Sequence, residues 1–554
     1  MTPPARANAP DTAMSAADAV VAALADAGVT RLFGVPGGGS SLDLVAAAHR
    51  RGLPFALARH ETAAVIMAAT TAELTGRPGA ALVTRGPGVS NAANGVAHAS
   101  LDRAPVLLLA DGFTGAERAF ANHQWFDQAA MLAPVTKAAA KAVEPGTEAG
   151  PMAAALLATA MASPRGPALM ELSGVAARAP ASPPPRPGAA TPSAIPDPAA
   201  LGAARALIRG ADRPVLVAGL EAATPGACAA VRRLVEALGC PGLVTYKAKG
   251  VVPDSHPLFV GVFTGGDAEA PLLSEADLIL LAGADPVEFI PRPWRYGAPV
   301  VEIGAVPRAA YYVTPAAALR GPLEPALAAL AEGGRRGAWT AAAIEAHRAA
   351  WLARLANGPT TGGNRGLSPQ AVVEVAQAAC RRAGADPRVS VDAGAHMFPA
   401  TTFWQASRPG DLLISNGLST MGFAVPAGIA AALHDPARGA LAFTGDGGLL
   451  MALGELATAA ALGAKLVVVV FNDAALSLIH IKRDARALPE GALGWPRADF
   501  AAAMRAFGGL ALRAATEEEY AAALDRALAA PGPALVDVLV DPESYPAQIK
   551  ALRG

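Results

Sequence analysis

Short apolar runs alternate with amphipathic stretches along most of the chain, in the order strand, helix, strand, repeated. SAADAVVAALADAG (15–28) spaces its apolar residues as a helix with one buried face, and TRLFGV (30–35) reads as a strand. FALARH, AALVTRG and PVLLLADG follow, so residues 15–177 predict an α/β domain with a mostly parallel sheet. RAPASPPPRPGAATPSAIP (178–196) then breaks all periodicity, as an extended proline-rich linker does. RPVLVAGL, PGLVTY, DLILLAGAD and PVVEIG, set among helical stretches, predict a second α/β domain over 197–335. A polar, alanine-rich helix and NGPTTGGNRG make a helical linker over 336–366. RVSVDAG, DLLISNG, GALAFTGDGG, LVVVVFND and PALVDVLVD predict a third domain over 367–554. The expected fold class is α/β with three doubly wound parallel-sheet domains, preceded by a disordered leader over 1–14.

Composition narrows the function classes. Hydrophobic residues make up 53% and charged residues 16% of 554, which excludes a disordered chain. The net charge is −1 and no basic run is interleaved with aromatics, so nucleic acid is not an expected partner. No apolar run reaches the roughly 18 residues of a membrane helix, and the first residues lack the apolar core of a secretory signal. Cys228, Cys240 and Cys380 are isolated; they read as small buried hydrophobes and suit a reducing, cytoplasmic location.

Candidate chemistry concentrates at GDGG (Gly445–Gly448). LLMALGELATAAALGAK (449–465) reads as one helix, and LVVVVF as a buried strand that ends in Asn472 and Asp473. Asp446 and Asp473, 27 positions apart, thus stand at the ends of two strands joined by a right-handed crossover. Two carboxylates beside a glycine-lined helix start suit a hard divalent cation bridging a diphosphate. GDGG alone would be only a turn before a helix; the spaced strand and Asn-Asp pair carry the argument.

This pattern resembles the cofactor motif of thiamine-diphosphate enzymes, in which GDG is followed at a similar distance by two asparagines. The second of these is Asp473 here. The resemblance implies that Gly445, Asp446, Gly447, Gly448 and Asp473 bind thiamine diphosphate and Mg²⁺. The backbone carbonyl of Ala475 would complete the protein ligands, and the extra charge of Asp473 would tighten metal binding. A second stretch, RHETAAVIMAATTAELTGRPGAALVTRGPGVSNAANGVAHASLDRAPVLLLADG (59–112), resembles the pyrimidine-binding domain of the acetolactate synthase group. By that resemblance Glu61 reaches the aminopyrimidine ring and favours the imino tautomer, so that the cofactor itself becomes the nucleophile. The three domains would be pyrimidine-binding, central and diphosphate-binding.

The same likeness places further residues. Gly38 and Gly39 of GVPGGGSSLDL (34–44) would lie beside the substrate; a dinucleotide fingerprint is a poor match there, because Pro36 interrupts it and no acid follows at the right distance. Ala395 and His396 of VDAGAHMF (391–398) would contact the diphosphate, and Met421 of LSTMGFAVPAG (418–428) would support the bent cofactor.

For the reaction, pyruvate-type decarboxylases carry two adjacent histidines in a loop where this chain has His123 followed by Gln124. Gln124 would hydrogen-bond a substrate oxygen. Six residues past Asp473 stands Ile479, where such decarboxylases carry a glutamate and acetolactate synthases an aliphatic residue. An apolar group there slows protonation by water and favours ligation to a second carbonyl compound. The chain departs from acetolactate synthases at Lys482, which replaces a tryptophan; Lys482 or His480 would then face an anionic or larger substrate. The leading expectation is a decarboxylating carboligase, a transferase, acting on a 2-oxo acid. A non-ligating decarboxylase, a 2-hydroxyacyl lyase (carbon–carbon lyase) and a non-catalytic regulatory protein of the same fold are the alternatives. The resemblance implies a homodimer or homotetramer and leaves FAD open, with VAGLEAA and LAGAD as weak nucleotide turns in the central domain.

Overall fold

The computed structural model describes residues 14–185, 197–306, 313–356, 366–481, 483, 486, 488, 489 and 491–553. The chain divides into two compact units, one up to residue 189 and one from residue 190 on.

The first unit is built on one parallel sheet. Its strands are β1 (Leu32–Val35), β2 (Phe55–Leu57), β3 (Gly79–Val83), β4 (Val106–Asp111), β5 (Ala138–Ala142) and β6 (Ala168–Leu172), in the order β2-β1-β3-β4-β6-β5. The second unit holds two such sheets. One is formed by β7 (Pro214–Ala218), β8 (Gly242–Val244), β9 (Phe259–Val262), β10 (Leu278–Ala282), β11 (Val300–Gly304) and β12 (Ala317–Arg320), in the order β12-β11-β10-β7-β8-β9. The other is formed by β13 (Arg388–Val391), β14 (Leu412–Ile414), β15 (Ala440–Gly445), β16 (Leu466–Asn472), β17 (Leu510–Ala514) and β18 (Ala534–Leu539), in the order β14-β13-β15-β16-β18-β17. The first and third sheets therefore share one topology. The middle sheet has the order of dinucleotide-binding folds. Helices cover both faces, which is why strands such as LVVVVFN are buried at every position instead of alternating.

The α/β class and its parallel sheets agree with the sequence reading; one local expectation does not. The helix expected over 449–465 is two helices, Asp446–Met451 and Glu455–Ala461. The ladder breaks where the Glu455 N–H donates to Ala452 O, just after Gly454, a poor helix former. The linker expected at 178–196 is fixed at its start: Ala181 N–H donates to Met14 O and Ala16 N–H to Ala179 O, both at 2.9 Å. Its residues 186–196, and 1–13 of the expected leader, lie outside the described residues. The helix of the expected linker at 336–366, Ala341–Leu355, buries Ile344, Trp351 and Leu355, with the Trp351 ring against Gly261 of β9. Among the described residues no helix is long and apolar enough to cross a membrane.

Candidate active site

The third sheet brings its carboxylates to one edge. β15 and β16 pair in parallel register, Gly445 opposite Phe471, so Asp446 and Asp473 leave adjacent strand tips. Asp446 Oδ1 accepts from its neighbour Gly447 N–H at 2.7 Å, and Oδ2 from Ala474 N–H at 2.6 Å. Ala474 itself adopts a left-handed φ of +62°. Such a conformation in a residue with a β-carbon is costly and clusters at functional sites. Asp473 accepts from Ser477 Oγ at 2.5 Å and Ala475 N–H at 3.3 Å. Burial, together with the Asp473 charge, pushes Asp446 up to about 7, and burial also raises Asp473. Two acids that resist ionising side by side are what a bound cation would relieve. Among the described residues no group of three or more His, Cys, Asp or Glu could hold a metal alone. The pair therefore needs oxygens from elsewhere, such as the Ala475 carbonyl, water and a phosphorylated ligand.

Beside the pair lies a cavity of about 300 Å³. Its lining includes Ala395, His396, Met421, Gly445, Asp446, Gly448, Asp473, Ala475 and Ile479, which the sequence reading had singled out. Glycines make room for it. A β-carbon at Gly394 would stand 2.6 Å from the His396 ring, and one at Gly447 would stand 3.1 Å from Trp495 and 3.3 Å from Met421. Burial pushes His396 down to about 3, so the imidazole is neutral, and its Nε2 is buried with no hydrogen-bond partner. An orphaned polar atom of this kind is costly, and it suits a polar ligand group arriving in the cavity. The residues present thus fit a diphosphate with its cation. His480 is exposed outside this lining, with Nε2 3.4 Å from the Arg483 guanidinium, and Lys482 lies outside the described residues.

Residues not anticipated from the sequence brace the cavity from behind or line it. Asp392, at the tip of β13, accepts from Thr444 Oγ1 at 2.8 Å, Phe423 N–H at 3.1 Å and Ala393 N–H at 3.0 Å. It thereby ties β13, β15 and the Met421 segment together, and burial raises it to about 6. A β-carbon at Gly448 would strike its Oδ2 at 2.5 Å. Tyr545 and Arg553, from the helix Tyr545–Arg553, line the cavity itself; no local motif marks either.

In the first unit, Glu61 opens the helix Glu61–Thr75, capped by the His60 imidazole. It is buried, and its Oε2 accepts from Asn91 Nδ2 at 3.1 Å. Gly39 is required by a close approach, since a β-carbon would lie 2.8 Å from the Asp111 carboxyl, whereas a β-carbon at Gly38 would meet nothing within 4 Å. Asp111 holds this turn. Its carboxylate accepts from Ser41 N–H and Ser40 Oγ, each at 2.7 Å, from Ser41 Oγ at 3.1 Å and from Thr84 Oγ1 at 3.3 Å. Its backbone carbonyl accepts from Gln128 Nε2 at 3.2 Å, and Gln128 Oε1 accepts from Gly86 N–H at 2.8 Å. Gly86, at φ +66°, allows the close passage of Gln124, itself left-handed at φ +60°. His123 and Gln124 are exposed on this loop, which the Arg118 guanidinium braces by stacking on Trp125.

The middle sheet bears on FAD. Its switch point lies between β7 and β10, where a dinucleotide fold receives its diphosphate. Here a β-carbon at Gly219 would lie 2.3 Å from Ala284 Cα, so the two turns pack on each other. The Glu288 carboxylate already accepts from Leu220 N–H and Asp285 N–H, both at 3.0 Å, and from Thr245 Oγ1 at 2.6 Å. These residues do not fit a flavin diphosphate at that turn.

Comparison with known proteins agrees with the geometry. Family models for thiamine pyrophosphate enzymes match the N-terminal TPP binding domain over residues 14–131, the central domain over 201–330 and the C-terminal TPP binding domain over 392–538. An acetolactate synthase of Bacillus subtilis (strain 168) is 30% identical over 95% of this chain and 93% of its own length. A catabolic acetolactate synthase of Raoultella terrigena is 32% identical over 96% of each chain. A probable 2-ketoarginine decarboxylase of Pseudomonas aeruginosa is 32% identical over 90% of this chain and 89% of its own. The crystal structure of benzoylformate decarboxylase from Polynucleobacter necessarius shares the fold, with a TM-score of 0.83 at 19% identity over 95% of this chain and 99% of that one. The chain belongs to the thiamine pyrophosphate enzyme family, in its acetolactate synthase-like group, and is a thiamine-diphosphate-dependent enzyme.

Proposed function

We propose that this enzyme decarboxylates a small 2-oxo acid and transfers the acyl unit to a carbonyl acceptor. Thiamine diphosphate, when bound, supplies the nucleophilic carbon and the electron sink for this chemistry. Asp446, Asp473 and the Ala475 carbonyl would hold Mg²⁺ against the diphosphate, and His396 would lie against it. Glu61 would hydrogen-bond the pyrimidine ring, Met421 would support the cofactor's bend, and Gln124 would orient a substrate oxygen near Gly38 and Gly39.

The observation that favours ligation is the wall of the cavity beyond the metal pair. Leu476, Leu478 and Ile479 form it, and among the described lining residues the carboxylates are only Asp446 and Asp473. Both would be committed to the cation, so this wall offers no carboxyl to deliver a proton before a second carbonyl compound arrives. Product analysis with pyruvate, thiamine diphosphate and Mg²⁺ tests this. Acetolactate is expected; acetaldehyde as the sole product would instead support the non-ligating decarboxylase suggested by the relative named a 2-ketoarginine decarboxylase.

A homodimer or homotetramer, located in the cytoplasm, accompanies the proposal. Its support is apolar surface flanking the candidate residues: Phe120 is 78% exposed near Gln124, and Met451 is 64% exposed just after GDGG.

A further inference from the structure

We propose that Arg553 is an anion-binding residue of the cofactor cavity, contacting either the cofactor's diphosphate or the carboxylate of the substrate. The inference rests on the reading of that cavity given above. Among the described residues lining it, Arg553 is the one cation, because His396 is neutral there. Asp446 and Asp473 add negative charge, and each ligand expected in the cavity is an anion as well.

The guanidinium is delivered by a fixed element. The helix Tyr545–Arg553 is anchored to the middle domain by its last carbonyls. Leu552 O accepts from Thr264 Oγ1 at 2.7 Å, and Ala551 O accepts from Asp267 and Ala268 N–H at 3.1 and 2.9 Å. Gly266 permits this approach, since a β-carbon there would overlap Leu552 O at 2.0 Å. Gln548 Nε2 donates to Leu355 O at 3.0 Å, and Tyr545 and Leu552 are buried. Arg553 then lies over the Phe398 ring, 5.4 Å from its centroid, one turn beyond Ala395 and His396. Stacking on a ring leaves the edge of a guanidinium, with its N–H donors, free for a planar or phosphate anion. The ordinary alternative is that Arg553 only complements the negative end of its helix and rests on Phe398.

Arg553→Gln and Arg553→Lys separate the two. Wild type and variants are titrated calorimetrically with Mg²⁺–thiamine diphosphate and with Mg²⁺–pyrophosphate, and KM is measured for a 2-oxo acid and for an uncharged aldehyde acceptor. Loss of a charged bidentate contact is expected to cost roughly tenfold. A tenfold weaker Kd for both phosphate probes in the glutamine variant, partly recovered in the lysine variant, assigns Arg553 to the diphosphate. An unchanged Kd with a tenfold higher KM for the 2-oxo acid alone assigns it to the substrate carboxylate. All values within twofold of wild type, with or without a lower melting temperature, overturn the proposal. If wild type binds Mg²⁺–pyrophosphate but not thiamine diphosphate, the cofactor reading fails, and the pyrophosphate Kd of Arg553→Gln decides the arginine: tenfold weaker supports an anion contact, unchanged overturns it.

Discussion

The first and third sheets have the same strand order, yet their carboxylates are used in opposite ways. At the tip of β4, Asp111 is enclosed by hydroxyls and an amide, every contact serving to fix the turn that carries Gly38 and Gly39. At the equivalent edge of the third sheet, Asp446 and Asp473 leave neighbouring tips with two donors each, against the four on Asp111, and Asp446 is raised to about 7. One edge is satisfied and rigid; the other is left wanting a cation. A shared topology thus supplies only the position of strand tips, while the residues placed there decide whether the edge closes on itself or is left open to a cation.

Disabling one edge at a time has the largest expected effect. Asp446→Ala and Glu61→Gln are both expected to lower turnover roughly 100- to 10,000-fold. Only the first should abolish retention of thiamine diphosphate, measured by gel filtration and vitamin analysis; equal loss in both would erase the division of labour.

Asp473→Asn tests the unsatisfied pair. A carboxyl whose folded pKa lies above its ordinary value of 3.8 binds more protons folded than unfolded, so the cofactor-free protein loses stability as pH rises from about 4 to about 7. The asparagine variant should therefore be more stable than wild type above pH 7, by on the order of 1–3 kcal/mol, with the gain fading toward pH 4. Its Mg²⁺ affinity should fall. Thermal melting across that range, with and without Mg²⁺, reads both effects; a pH-independent difference would contradict the account.

At the satisfied edge, Asp111→Asn removes acceptor capacity at a buried turn and should cost about 1–3 kcal/mol of stability. The turnover number should drop while Kd for thiamine diphosphate stays within twofold. Parallel loss of cofactor binding would show that Asp111 does more than hold the substrate-side turn. The smallest effect concerns the middle domain: with Glu288 filling its switch point, added FAD should change neither activity nor melting temperature, and the purified enzyme should lack flavin absorbance.

What the sequence disclosed followed from how local each signal is. The strand tips that place Asp446 and Asp473 were legible because a buried apolar run ends abruptly at each acid. Edge strand β5, AAAKA, was not, because alanine and lysine favour helix and only pairing with β6 holds it extended. The break before Glu455 was hidden in a stretch with helical spacing throughout. Asp111, Asp392 and Glu288 act through partners far along the chain, and Arg553 reaches the cavity by way of contacts with residues 264–268. Such residues look like ordinary charges until the fold closes.

The central claim is that the tips of β15 and β16 hold a metal-bound diphosphate. Calorimetric titration of thiamine diphosphate into wild type, Asp446→Ala and Glu61→Gln, with and without Mg²⁺, tests it directly. The account predicts Mg²⁺-dependent binding in wild type and Glu61→Gln and none in Asp446→Ala. Undiminished, Mg²⁺-dependent binding in Asp446→Ala would contradict it.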